Sequence, residues 1–409
     1  MRRSYKSKGT AGKESIWSPA FISIFVINII LNLNQFMTTA LIPKFAAHLG
    51  ATATIIGMVT SMFAITALGV RPIVGPSSSY FKKNNLLAAS TAIIILAFIC
   101  YSLASSISMI IAGRLLHGIG MGFLAPVSLA LASDALPESR MASGIGVFSL
   151  GQAIATAIGP MLGLELVQAY GYSAVFLISA GATCLVLVLS LRLKTEAPAP
   201  NQRFTISLDN IIAPEVLIPT IIMFFLAGAF SCINSFILIY GGAIGIEDIG
   251  LFFTSYAVCL LFTRPISGRI SERYGVSATI IPGMLIFALS FVVISFSRSL
   301  PMFIFAGAVS ACGYGICQPS IQTLCMKLVP SERRGVAGNT NYIGVDAGYL
   351  ITPSIAGFIV SMVQNKGGTE VSGYAAMYRF MTIPIVIAFA VFLWNRKHLT
   401  ASKTAVDQS

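Results

Sequence analysis

A chain of 409 residues that is 56% hydrophobic and only 10% charged, with a mean hydropathy of +0.84, is too apolar to fold as a water-soluble globule. Its net charge of +12 does not mark a nucleic-acid surface, because the basic residues lie in short clusters between apolar runs. What remains is an all-α protein embedded in a lipid bilayer, with no soluble domain left to assign and no expected nucleic-acid partner.

Cutting the chain at its polar, Gly-rich and Pro-rich breaks gives twelve candidate spans: 17–41, 53–74, 86–104, 108–132, 142–167, 172–192, 214–241, 248–270, 277–297, 301–328, 335–363 and 374–394. The basic start followed by an apolar run from Ile16 resembles a secretory signal, but so many further spans make it a retained first helix. Residues 193–213 form the only long connection. They are rich in Pro and polar side chains and read as a linker between residues 1–192 and 214–409. With the amino terminus inside, 21 of the 26 Lys and Arg residues fall on the cytoplasmic side, all but Lys44, Arg114, Arg298, Lys366 and Arg379. So lopsided a split predicts an even number of spans and both termini in the cytoplasm. The seven cysteines all sit in apolar runs, without disulfide or zinc spacing, and read as reduced packing residues.

Taken in order, the spans carry a few groups that lipid alone does not explain. In the first, Asn28, Asn32 and Gln35 share a helix face, and no acid occurs there. The second ends in Arg71-Pro72-Ile73-Val74-Gly75. The fourth contains Arg114-Leu115-Leu116-His117-Gly118. A buried Arg needs an acid or carbonyl partner, although near the outer surface it could reach water. His117, one turn on, has a titration range suited to proton transfer or can serve as a hydrogen-bonded packing residue. The fifth span opens after Asp134, which could pair with Arg140, and closes on Gly159-Pro160-Met161-Leu162-Gly163. Its glycines allow close approach and its proline a bend. Glu165 is expected at the membrane interface. The tenth span carries Tyr314, Gln318 and Gln322 on one face, and the eleventh Tyr342, Asp346 and Tyr349. Three polar stripes on separate helices suggest a hydrated central cavity, although amides also join membrane helices. Asp346 is the one carboxylate expected deep in the bilayer, where it could titrate or be permanently paired.

The chain repeats itself. Pro137, Arg140, Gly151 and Pro160 recur as Pro330, Arg333, Gly344 and Pro353, and Arg71-Pro72 as Arg264-Pro265, all at a constant offset of 193. Gly57, Gly120, Gly122 and Pro126 follow the same rule, answered by Gly250, Gly313, Gly315 and Pro319. Parallel six-span repeats related by an axis along the membrane normal mark one large secondary-transporter architecture.

On these features the sequence resembles the Major Facilitator Superfamily over nearly its whole length. Gly268-Arg269-Ile270-Ser271-Glu272-Arg273-Tyr274-Gly275 resembles that family's loop pattern G-x-L-x-D-R-x-G-R-K, with Glu272 for Asp. The first-half copy, from Gly75 to Lys83, lacks the acid and the second Gly. An acid at such a helix end can pair with a base or a helix amino terminus in one conformation and release it in another, or simply be solvated beside Arg269 and Arg273. Arg114 and its Gly-rich helix resemble the fourth-span pattern implicated in proton coupling. Gly159-Pro160 with Gly163 resembles the antiporter motif G-P-x-x-G-G, incomplete at Leu164. Residues 134–138 together with Gly159-Pro160 further resemble the branch of bacterial metallophore exporters.

The resemblance implies two six-helix bundles related by a pseudo-twofold axis, in a monomer of the cell membrane. It implies alternating access, with cargo on Asn28, Asn32, Gln35, Tyr314, Gln318, Gln322, Tyr342 and Tyr349. Protons would couple at Asp346 with Arg114 and His117. Gating would involve Arg71, Gly75, Arg264, Gly268, Glu272, Arg273, Gly159, Pro160 and Gly163. The expected function is proton-coupled export of a small organic solute, with nutrient symport or a non-transporting sensor as alternatives. The missing first-span acid weakens the coupling familiar from drug antiporters. No cofactor is expected, a proton or sodium gradient supplying the energy, and no G-x-x-x-x-G-K-[ST] phosphate loop occurs.

Overall fold

The computed structural model describes residues 15–51, 53–195, 207, 211–246 and 248–401. The first half contains α1 (Pro19–His48), α2 (Ala53–Gly69), α3 (Arg71–Tyr80), α4 (Lys83–Ser102), α5 (Ile107–Asp134) and α6 (Met141–Arg192). The second contains α7 (Leu217–Ile244), α8 (Leu251–Tyr274), α9 (Ser277–Phe296), α10 (Leu300–Lys327), α11 (Arg334–Asn365), α12 (Glu370–Phe380) and α13 (Thr382–Ala401). Most of the expected linker, residues 196–206 and 208–210, lies outside the described residues.

Among the described residues, ten helical segments are long and apolar enough to cross a membrane. α6 crosses twice, because Gly171 breaks it at φ 78 and ψ 167, a conformation that a Cβ would strain. α2 and α3 together make one further crossing, so twelve passes result. Several ends differ from the hydropathy cut. α1 continues to His48, and the expected loop after residue 74 is helical to Tyr80. Pro72 explains the second difference: a proline in the first turn of a helix forfeits no hydrogen bond, so the chain restarts at Arg71 where hydropathy fades.

Twelve passes bring the chain back to the side from which α1 starts, here called the terminal face. Within the halves, α1 packs on α6 and α7 on α11. Between them, α6 meets α8 and α3 meets α11, the same pairing seen from either side of the pseudo-twofold axis. Phe98 and Phe176 fill the first half and Phe287, Phe291 and Phe303 the second, all fully buried. Leu96, Phe262, Phe305, Phe358 and Trp394 stand exposed, an apolar surface that hydrocarbon would cover. The cysteines are free thiols.

Candidate functional site

Two arginines of the repeat hold the middle of the bundle. Arg71 stands nine residues before the end of α3, about 14 Å in from the terminal face. Its Nε and Nη2 donate to one oxygen of Asp346 on α11, at 2.9 and 2.8 Å, and its Nη1 donates to the Gly122 carbonyl of α5 at 2.7 Å. The guanidinium also lies 5.2 Å from the ring centroid of Tyr342, one turn earlier on α11. The Arg71 side chain is 4% exposed and that of Asp346 29%, so the pair is sealed on the arginine side and open to water on the carboxylate side.

Arg264, on α8, reaches the other way. Its Nη1 donates to the Ser149 backbone carbonyl of α6 in the first half, and its Nη2 to Oε1 of Gln318 on α10 at 3.1 Å. The hydropathy cut places both arginines among the basic residues at the ends of spans. The structure corrects this, because each helix continues for about ten residues beyond its arginine and carries it inward.

Nearer the terminal face the halves are joined by charge. Glu272 accepts from the Ser143 backbone N–H at 2.8 Å, in the first turn of α6, and pairs with Arg140 at 3.2 Å. It is thus neither simply solvated nor matched with Arg269 and Arg273, which are both exposed; Arg273 lies over the Tyr274 ring. Asp134 does not pair with Arg140, as the sequence suggests, since the turn into α6 directs Arg140 to Glu272. Asp134 binds Lys83 of its own half and Arg334 of the other, the latter at 3.0 Å. Asn339 donates to the carbonyls of Arg71 and Ile211 at 2.9 and 3.1 Å. Glu332, in the turn before α11, accepts from its own backbone N–H and from the Ser331 hydroxyl, which hold its carboxyl below the usual range.

Among the described residues, the polar contacts between halves fall from mid-depth to the terminal face. Towards the opposite face, polar side chains of inner helices stand partly or fully open: Asn32, Gln35 and Thr39 on α1, Asn234 on α7 and Tyr349 on α11. Asn234 donates to the Tyr349 hydroxyl at 3.3 Å. Amides and hydroxyls at such depth are tolerated where they line water.

The remaining stripe residues are used differently. Asn28 is 7% exposed and donates to the Phe148 carbonyl at 2.6 Å, joining α1 to α6, while Asn32 donates back to Asn28. Tyr314 stacks on Phe230 with centroids 4.2 Å apart. Gln318 and Gln322 are buried, and Tyr342 is half-buried. Gly159 faces α1, where a Cβ would lie 2.9 Å from that of Phe36; Gly163 faces Leu41, and α6 runs unbroken through Pro160. Gly75 is buried in α3.

Arg114 and His117 build a separate cluster. The Arg114 Nε donates to the Val59 carbonyl at 3.3 Å, and its guanidinium lies 4.7 Å from the Phe63 centroid; it is 2% exposed and does not reach surface water. His117 sits among Phe63, Phe98 and Tyr101, with centroids 5.5, 5.2 and 6.1 Å away. The ion-pair partner of Asp346 is therefore Arg71 and not Arg114. Sequence reasoning missed Lys83, which also donates to the Ser331 carbonyl at 3.3 Å, Arg334 and Asn339 as partners across the interface. Arg334 could have been found beside Arg333 in the repeat, whereas nothing local marks Lys83 or Asn339.

A twelve-pass bundle of two repeated halves, tied by polar contacts from mid-depth to one face and with polar side chains open towards the other, is the architecture of a secondary transporter. The profile of the Major Facilitator Superfamily matches residues 24–247 and 219–408, and the chain belongs to that family. It is therefore a transporter of small molecules across a membrane and not an enzyme. The staphylopine export protein of Staphylococcus aureus is 24% identical over 366 residues, covering 85% of this chain and 90% of that protein. The fold is similar to that of the human organic anion transporter MFSD10 (TM-score 0.77, 15% identity, 91% of this chain and 99% of that one). It is also similar to that of the transporter FucP in its outward conformation (TM-score 0.73, 15% identity, 92% and 99%).

Proposed function

We propose that the protein exports a small organic solute in exchange for protons across the plasma membrane, by alternating access, with Asp346 as the titrating group. The observation that carries this reading is the Arg71–Asp346 pair: a carboxylate at mid-depth, partly open to water, closing an ion pair between the two halves. The excess of Lys and Arg at the terminal face supports a cytoplasmic placement of that face and of both termini. The arrangement described is then outward-facing, sealed towards the cytoplasm.

A proton arriving from outside neutralises Asp346 and removes the charge that holds Arg71 across the interface. Arg71 keeps its bond to the Gly122 carbonyl in its own half, so only the tie between halves is lost. Residues 1–192 and 214–409 then rock apart at the cytoplasmic side, linked by residues 193–213. Cargo entering from that side favours loss of the proton and resets the cycle, because each ligand prefers a different conformation. Export is supported by a relative named for it, the staphylopine export protein, and by one named for drug resistance, the multidrug resistance protein 1 of Bacillus subtilis. The unit proposed is a monomer that uses the proton gradient and no cofactor.

The test uses everted membrane vesicles, in which export drives cargo inwards and protons outwards. A cargo-triggered proton flux is expected in the parent protein and not in Asp346→Asn. A flux unchanged by that substitution would remove Asp346 from the coupling, and a deletion strain that accumulates less of the cargo, not more, would reverse the direction.

A further inference from the structure

Arg71 and Arg264 are equivalent in position and unequal in partnership. Arg71 has Asp346, but the first-half counterpart of Asp346 is Ala153. Arg264, reaching the opposite way, therefore finds only neutral acceptors, a backbone carbonyl and the amide oxygen of Gln318. Its side chain is 2% exposed, yet Nε has no hydrogen-bond partner. One turn from Gln318, the Tyr314 hydroxyl is likewise buried without a partner. The titratable groups acting on Arg264 electrostatically are Tyr256, Tyr314 and Tyr342, with no acid among them. A buried guanidinium lacking a counter-charge is costly, and its planar fork matches a carboxylate. Arg264 Nε and the Tyr314 hydroxyl are thus two buried donors with the chemistry to receive a carboxylate.

We propose that the cargo carries a carboxylate and that Arg264 is its anchor, with the Tyr314 hydroxyl as a second donor. This rests on the transport reading above, since the carboxylate reaches Arg264 only by way of the central space. A carboxylate on the Nε–Nη2 edge of Arg264, the edge that Arg71 gives to Asp346, takes the place of the Gln318 amide oxygen and leaves Nη1 on the Ser149 carbonyl.

The experiment follows the thermal unfolding of the purified full-length protein in detergent. Benzoate, hexanoate and N-acetyl-leucine are compared at matched concentrations with benzamide, hexanamide and N-acetyl-leucinamide. The acids are expected to raise the unfolding midpoint in a dose-dependent way and the amides to leave it unmoved. Arg264→Gln should abolish the preference. Arg264→Lys, which keeps the charge and loses the fork, should raise the half-saturating acid concentration about tenfold. Tyr314→Phe removes one hydroxyl and should weaken protection by the acids alone, a check that holds if Arg264→Gln does not fold. No preference for acids across the panel, or a preference undiminished in these variants, overturns the proposal. Acid protection through Arg264 without any cargo-driven proton flux sinks the exporter reading and leaves the anion site standing. Export of a neutral solute that survives Arg264→Gln does the reverse.

Discussion

A Cβ built on Gly268 would stand 2.6 Å from the Cα of Ser143, so α8 and α6 meet backbone to backbone near the terminal face. Backbone cannot turn aside as a side chain can, and even the methyl group of Gly268→Ala must push the helices apart. The substitution is expected to open the terminal face. Spin labels at positions 82 and 273, exposed on opposite halves, should report a longer distance distribution in a cysteine-free background. Gly69→Ala, where nothing lies within 4 Å, is the control. Superimposable distributions for Gly268→Ala and its parent would show that this contact does not set the gate.

The Arg71–Asp346 pair makes an asymmetric double-mutant cycle. Asp346→Asn leaves a 4% exposed guanidinium with the Gly122 carbonyl and no counter-charge, whereas Arg71→Gln leaves a carboxylate that water can reach. Breaking a buried pair from one side costs about 3–5 kcal/mol, and the open side of Asp346 places this one at or below the lower end. Asp346→Asn should be the more destabilising single change. The double variant should recover about 1–3 kcal/mol relative to additivity in the thermal unfolding of purified protein. Strictly additive losses would mean that the two groups do not sense each other.

At the terminal face, one acid serves two cations and the other a single cation and a helix end. Asp134→Asn leaves Lys83 and Arg334 facing each other, while Glu272→Gln can still accept from the Ser143 N–H through its amide oxygen. Asp134→Asn is expected to lower the unfolding midpoint more than Glu272→Gln at low salt. The gap should close in about 0.5 M salt, where the Debye length falls to roughly 4 Å. A gap indifferent to salt would point to packing and not charge.

What the sequence makes legible is what repeats locally. The spans, the two halves and the small-residue faces of α6 follow from hydropathy, a constant offset and helical period, and each survives in the structure. Pairings are a different matter, since Arg71 and Asp346 are separated by 275 positions, and the sequence proposes only that Asp346 is buried and that Arg71 gates. Asp134 misled for a similar reason: the nearest base along the chain is Arg140, but a turn of 3-10 helix directs it elsewhere. Arg71 and Arg264 look like charges at the ends of spans because a hydropathy window ends where polar residues begin. A helix ends only where its hydrogen bonds do.

His117 offers the sharpest separation between a packing residue and a proton carrier. Three aromatic rings from α2 and α4 surround it, it is 1% exposed, and its Nδ1 has no hydrogen-bond partner. Replacing the imidazole by a phenyl ring keeps the shape of the cage and removes a buried polar atom whose hydration was lost without return. His117→Phe should therefore unfold at or above the parent midpoint. Because the proposed titrating tie between halves is that of Asp346 with Arg71, the variant should also keep its cargo-triggered proton flux, followed with a pH-sensitive dye in everted vesicles. Flux retained in His117→Phe and lost in Asp346→Asn places the coupling proton on α11. Flux lost in His117→Phe, with the unfolding midpoint intact, would instead make the imidazole part of the proton path, a result that no packing role could produce.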